Sequence, residues 1–210
     1  DLEKAISKST RVPLLDQVLA QGGATEVGNT VIVAATDRRW VVAGLGDADV
    51  TPDRVRRATG SALRSTAGLT GADSLEVAVS LELADPELVQ AAAEGAMLGS
   101  HTVARITQKE IKRPVGRITV VSTATSGQLK QALARGSVIS DAVRRARDWV
   151  NVPGNLLYPE NFADEARDYL KGEKINVEIL DEKALEKGGY GGILAVGDGS
   201  ERKPRLVRMQ

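Results

Sequence analysis

Apolar and polar positions fall in alternating blocks along the chain, and the blocks predict strands and helices in turn. Residues 29–35, Asn-Thr-Val-Ile-Val-Ala-Ala, are a short β-branched run that predicts a strand. Residues 38–46 predict a second strand, closed by Gly44 and Gly46. Thr51-Pro52-Asp53 signals a helix start. Thr51 is a good cap, proline is tolerated at the first helical position, and Asp53 suits the positive end of the helix dipole. Val55, Ala58, Ala62, Leu63 and Ala67 follow at helical spacing. Residues 75–81 read as a strand, and Asp85-Pro86-Glu87 opens a second helix by the same logic, Ala-rich from Ala91 to Leu98. Residues 117–122 predict another strand and 129–133 a helix. Short strands alternating with helices argue for an α/β layered fold.

From Gly136 the texture changes. Residues 138–151 predict a long amphipathic helix with Val138, Ala142, Val143, Ala146, Trp149 and Val150 on or near one face. Pro153 and Gly154 break it. Residues 159–170 predict a further helix, 176–180 a strand, and Asp181 caps a short helix through Lys187. The glycine-rich run Gly188 to Gly192 reads as a loop packed before a strand formed by Ile193 to Val196. Gly197-Asp198-Gly199-Ser200 reads as a turn, and residues 205–209 as a last strand. A domain boundary is therefore expected at residue 137, dividing the chain into 1–137 and 138–210. Neither part carries a charge excess, so the division rests on pattern.

Composition narrows the chemistry. Hydrophobic residues make up 42% of the 210 and aromatic ones only 3%, so Val, Leu, Ile and Ala must build the core. Lys plus Arg and Asp plus Glu are 28 each, which gives no bulk attraction to nucleic acid or anionic membrane. The sequence has no Cys, which removes disulfides, thiolate metal sites and cysteine nucleophiles. Its single histidine, His101, rules out a His-Glu-x-x-His zinc motif within these residues. No run of about 18 apolar residues predicts a membrane span. The opening Asp1-Leu2-Glu3-Lys4 does not read as a signal peptide, and the numbering is expected to begin after the true N-terminus.

Few residues suggest a site. Gly44-Leu45-Gly46 follows a strand, but Asp49 stands where a dinucleotide fingerprint needs its third glycine, so a tight strand exit is the better reading. The Gly188 to Gly192 run has no Gly-Lys-Ser/Thr tail and is not a P-loop. His101 lacks a Gly-x-Ser-x-Gly partner and reads as a cap or surface residue. Arg54, Arg56, Arg57 and Arg64 form a basic helix face, and Lys109, Lys112, Arg113 and Arg117 a second basic stretch. A solvated face is the plain reading of both. A nucleic-acid or partner surface on Arg54, Arg56, Arg57 and Arg64 is the functional one, although no aromatic residues interleave for base stacking.

One longer string carries more. Ala146-Arg147-Asp148-Trp149-Val150-Asn151-Val152-Pro153-Gly154-Asn155-Leu156-Leu157-Tyr158-Pro159-Glu160 resembles the domain-joining helix and following loop of the leucyl (cytosol) aminopeptidases. Their common form is Ala-Arg-Asp-Leu-Val-Asn-Thr-Pro-Pro-Asn, from which Trp149, Val152 and Gly154 depart. Leu180 to Leu185, Gly191 to Gly197, Gly199-Ser200 and Pro204 to Val207 are also similar to that family. Val42 to Gly46 and Glu94 to Gly99 match its N-terminal domain.

The resemblance implies a macro-domain-like, three-layer α/β N-terminal domain followed by the first elements of a second α/β catalytic domain. It implies a cytoplasmic homohexamer releasing N-terminal residues, often leucine, from peptide substrates. Two divalent ions, manganese or zinc, would be held by carboxylates and a lysine, which suits a Cys-free, His-poor chain. The family's ligand motifs, Val-Gly-Lys-Gly with Phe-Asp-Ser/Thr-Gly-Gly and Asn-Thr-Asp-Ala-Glu-Gly-Arg, do not occur in this sequence. No metal ligand or catalytic residue is therefore assigned to any position here, and these 210 residues alone are expected to be inactive. A DNA- or partner-binding module, through the N-terminal domain, is the alternative from a different class.

Overall fold

The computed structural model describes residues 14–34, 38–69, 75–80, 84–103 and 115–210. Contacts divide the chain into two compact units, Asp1–Arg147 and Asp148–Gln210.

In the first unit, helix α1 (Leu14–Ala20) precedes the antiparallel pair β1 (Thr30–Ala34) and β2 (Arg39–Ala43). Val31 sits opposite Val42 and Val33 opposite Trp40. Val18, Val31 and Val33 are buried together, with Ala24, Trp40 and Val42 packed against them. Helix α2 (Pro52–Ser65) starts where the sequence places it, with Thr51 Oγ1 accepting from the Arg54 N–H at 3.4 Å. Strand β3 (Leu75–Ser80) leads into α3 (Pro86–Gly99), capped by Asp85, whose Oδ1 accepts from the Glu87 N–H at 2.9 Å. Strand β4 (Val115–Val121) pairs parallel with β3, a geometry that needs a crossover connection between the two.

The tightest packing in this unit is between α2 and α3. Val55, Leu88, Ala91 and Ala92 form its apolar cluster, with Leu45 and Val79 against it. Val55 and Val89 are fully buried, each worth about 1.5–3 kcal/mol relative to exposure. Beside them the helices meet backbone to backbone. A Cβ on Gly95 would collide with the Arg56 carbonyl, and one on Gly99 with the Gly60 carbonyl. Only glycine, which has no Cβ, admits such an approach.

Helix α4 (Ser126–Asn151) is one continuous helix of 26 residues. It corrects two expectations. Gly136 does not separate a short helix from a long one, because it is a contact residue: its Cα faces the Gln90 carbonyl and the Ala93 methyl of α3. The buried stripe is Ala132, Gly136 and Ser140, whereas Val138 is 71% exposed and Val150 85%. Val138, Ile139 and Val150 thus lie outward, while Leu129, Leu133, Val143 and Trp149 are half-buried. The two compact units divide between Arg147 and Asp148, inside this helix. Residues 138–147 fall in the first unit, where Arg144 and Arg147 reach the end of α3.

The second unit begins with the end of α4, broken after Asn151 at Pro153 as expected. Then come α5 (Pro159–Tyr169), β5 (Val177–Leu180), α6 (Glu182–Lys187), α7 (Gly191–Gly197) and β6 (Leu206–Met209). Strands β5 and β6 pair antiparallel, with Ile179 opposite Val207. Asp181 caps α6, its Oδ1 accepting from the Ala184 N–H at 2.9 Å. Leu185, Ala163 and Ala166 are buried here. Residues 193–196 form part of a helix and not the expected strand. Four apolar residues fit either period, and the Ile193 and Leu194 N–H groups both bond to the Tyr190 carbonyl. The expected turn after it is present: the Ser200 N–H donates to Gly197 O at 3.1 Å. Among the described residues no helix is long and apolar enough to cross a membrane.

Candidate functional site

Each of the four arginines of α2 has a partner within this unit. Arg54 Nη1 donates to the Leu45 carbonyl at 3.1 Å. Its guanidinium fills the space beside Gly46, whose φ of +80° is the left-handed strand exit expected of this loop. Gly44 is required by crowding instead, since a Cβ there would strike the carbonyls of Ala24 and Glu26. Arg56 Nε donates to Glu94 Oε2 at 2.7 Å, and Gln90 Nε2 donates to Glu94 Oε1 at 2.8 Å. Glu94 is buried, so this pair ties α2 to α3 through a desolvated carboxylate. Arg57 lies 4.0 Å from Asp53, and Arg64 Nη2 donates to Ser61 Oγ at 2.9 Å. Of the four, Arg57 and Arg64 are exposed. In the second basic stretch, Arg117 pairs loosely with Glu76 at 4.0 Å. Lys109, Lys112 and Arg113 lie outside the described residues.

His101 follows the C-terminus of α3. Arg144 Nε donates to its Nδ1 at 3.3 Å. Arg144 also lies 3.5 Å from Asp141. Ser100 Oγ donates back to the Met97 carbonyl at 3.1 Å and is not presented to the imidazole. Arg147 Nη1 donates to the Leu98 carbonyl at 3.3 Å. Arg147 and Ser100 thus satisfy carbonyls at the negative end of α3, a capping arrangement and not a nucleophile with its base. A cleft of about 240 Å³ opens beside it, with Thr102, Gly116 and Ile118 in its wall.

In the second unit Arg205 is the polar centre. It is mostly buried, and its Nη1 donates to Glu182 Oε2 at 2.7 Å while Nη2 reaches Glu160 Oε1 at 3.3 Å. Glu160 and Glu182 stand in the first turns of α5 and α6, where the dipole favours an anion. One guanidinium therefore fastens two helix starts to the base of β6. Within β6, Arg208 donates to Glu178 Oε2 of β5 at 2.9 Å and to the Tyr190 hydroxyl at 3.0 Å. The Arg202 guanidinium lies 4.0 Å from the Tyr158 ring centroid. Trp149 Nε1 donates to Glu165 Oε2 at 2.6 Å, and its ring meets Phe162 edge-on at 4.8 Å.

The long-range pairs Arg56–Glu94 and Arg205–Glu182 had no local signal in the sequence, since 38 and 23 residues separate their members. Asp198 lies in the turn after α7, and Glu201 lines a small mixed-charge cleft with Glu160, Glu182, Arg202 and Arg205. Among the described residues no group of three or more His, Cys, Asp or Glu side chains is placed to hold a metal ion. The Glu160 and Glu182 carboxylates face the Arg205 guanidinium, which competes for the lone pairs a cation needs. These residues do not fit a metal centre.

Two family models match the chain in succession. The cytosol aminopeptidase family, N-terminal domain, matches residues 2–110, and the cytosol aminopeptidase family, catalytic domain, matches residues 144–210. A probable cytosol aminopeptidase of Cutibacterium acnes is 39% identical over 208 residues, covering 99% of this chain and 41% of the relative. One of Nocardia farcinica is 40% identical over 216 residues, covering 97% and 41%. The chain thus spans about two fifths of the length of the curated relatives it matches. Among solved structures, the bottromycin maturation enzyme BotP in complex with Mn aligns at a TM-score of 0.74 and 28% identity, over 91% of this chain and 41% of that one. A tomato leucine aminopeptidase mutant aligns at 0.86 and 20% identity, over 99% of this chain and 43% of that one, which shows a shared fold.

Proposed function

Because this chain belongs to the cytosol aminopeptidase family, we propose that it is the scaffold portion of a metal-dependent exopeptidase that releases N-terminal residues, leucine among them, from peptides. The observation that carries this reading is the succession of the two matches, an N-terminal domain and then a catalytic domain in one chain. The ties around Arg205 and Trp149 fit a supporting role, because they fasten helices and a strand to one another.

Two divalent ions, manganese or zinc, belong to this proposal. When bound they would supply Lewis-acid activation of water and of the scissile carbonyl. Support for manganese comes from the BotP relative, described in complex with that metal. Among the described residues no group of three or more His, Asp or Glu side chains is placed to hold them. A macro-like first domain, a hexameric assembly and a cytosolic location complete the reading, the last supported by the names of the relatives.

The test is hydrolysis of leucine p-nitroanilide by the intact protein. Activity that chelation abolishes and Mn²⁺ or Zn²⁺ restores is expected. An intact, folded protein that releases no N-terminal residue from any peptide with either metal overturns the proposal.

A further inference from the structure

We draw no further inference here: the strongest candidate, the exposed stripe Ala134, Val138 and Ala142 on the outer face of α4, is an unpartnered apolar face, and nothing in the structure shows what covers it.

Discussion

Gly99 packs on the backbone of Gly60: a Cβ built on Gly99 would lie 2.8 Å from the Gly60 Cα. No side-chain movement relieves that clash, because both partners are main chain. Gly99→Ala and Gly95→Ala are therefore expected to destabilise the first unit by about 1–3 kcal/mol, the usual cost of overpacking. Gly127→Ala is the control. Nothing lies within 4 Å of a Cβ there, and the substitution should be neutral or stabilising by up to about 1 kcal/mol. Urea midpoints for the three variants decide it; equal midpoints for Gly99→Ala and the parent would refute the close-packed crossing.

The Arg56–Glu94 pair should be asymmetric. Glu94 is 4% exposed, whereas the Arg56 side chain is 37% exposed and retains some water. Arg56→Met strands a buried carboxylate and should cost about 3 kcal/mol or more. Glu94→Gln keeps a hydrogen-bonding group beside Gln90 and should cost less. Chemical denaturation of both variants in one buffer tests the order, and a larger loss for Glu94→Gln would contradict it.

Ser140 is fully buried in α4, and its hydroxyl has no hydrogen-bond partner among the described residues. A buried hydroxyl without a partner is a desolvation cost of about 1–3 kcal/mol. Ser140→Ala is expected to be neutral or stabilising in thermal unfolding. A drop of several degrees in Tm would mean that the hydroxyl is bonded in solution.

Trp149 stands where the family's common form has Leu, and the structure gives it two partners: Glu165 through its indole N–H and Phe162 through its ring edge. The aromatic pair alone is worth about 0.5–1.5 kcal/mol. A double-mutant cycle of Trp149→Leu with Phe162→Leu should return a coupling of that size. Additive effects would show that the edge contact contributes nothing.

Much of the local structure was legible because it follows from local chemistry. Thr51, Asp85 and Asp181 announced their helices by side-chain caps, and each cap is formed. Gly46 announced a left-handed strand exit. What could not be read depends on distant partners. The continuity of α4 through Gly136 is not visible in the pattern, because the reason for a glycine there, a close seat on Gln90 and Ala93, lies in another helix. Val138 looked like core for the same reason. Residues 193–196 looked like a strand because four apolar residues do not specify a period. The site was legible only as a resemblance: residues 146–160 pointed to the family, while the ties of Arg56 and Arg205 span distances that no motif encodes.

The most direct test of the scaffold assignment sets these 210 residues beside the intact protein in one assay, with leucine p-nitroanilide and Mn²⁺. The intact protein should turn over and the 210-residue polypeptide should not rise above the metal-only background. Sustained, chelator-sensitive turnover by the 210 residues alone would contradict the account, because the bond-breaking groups would then have to lie among them.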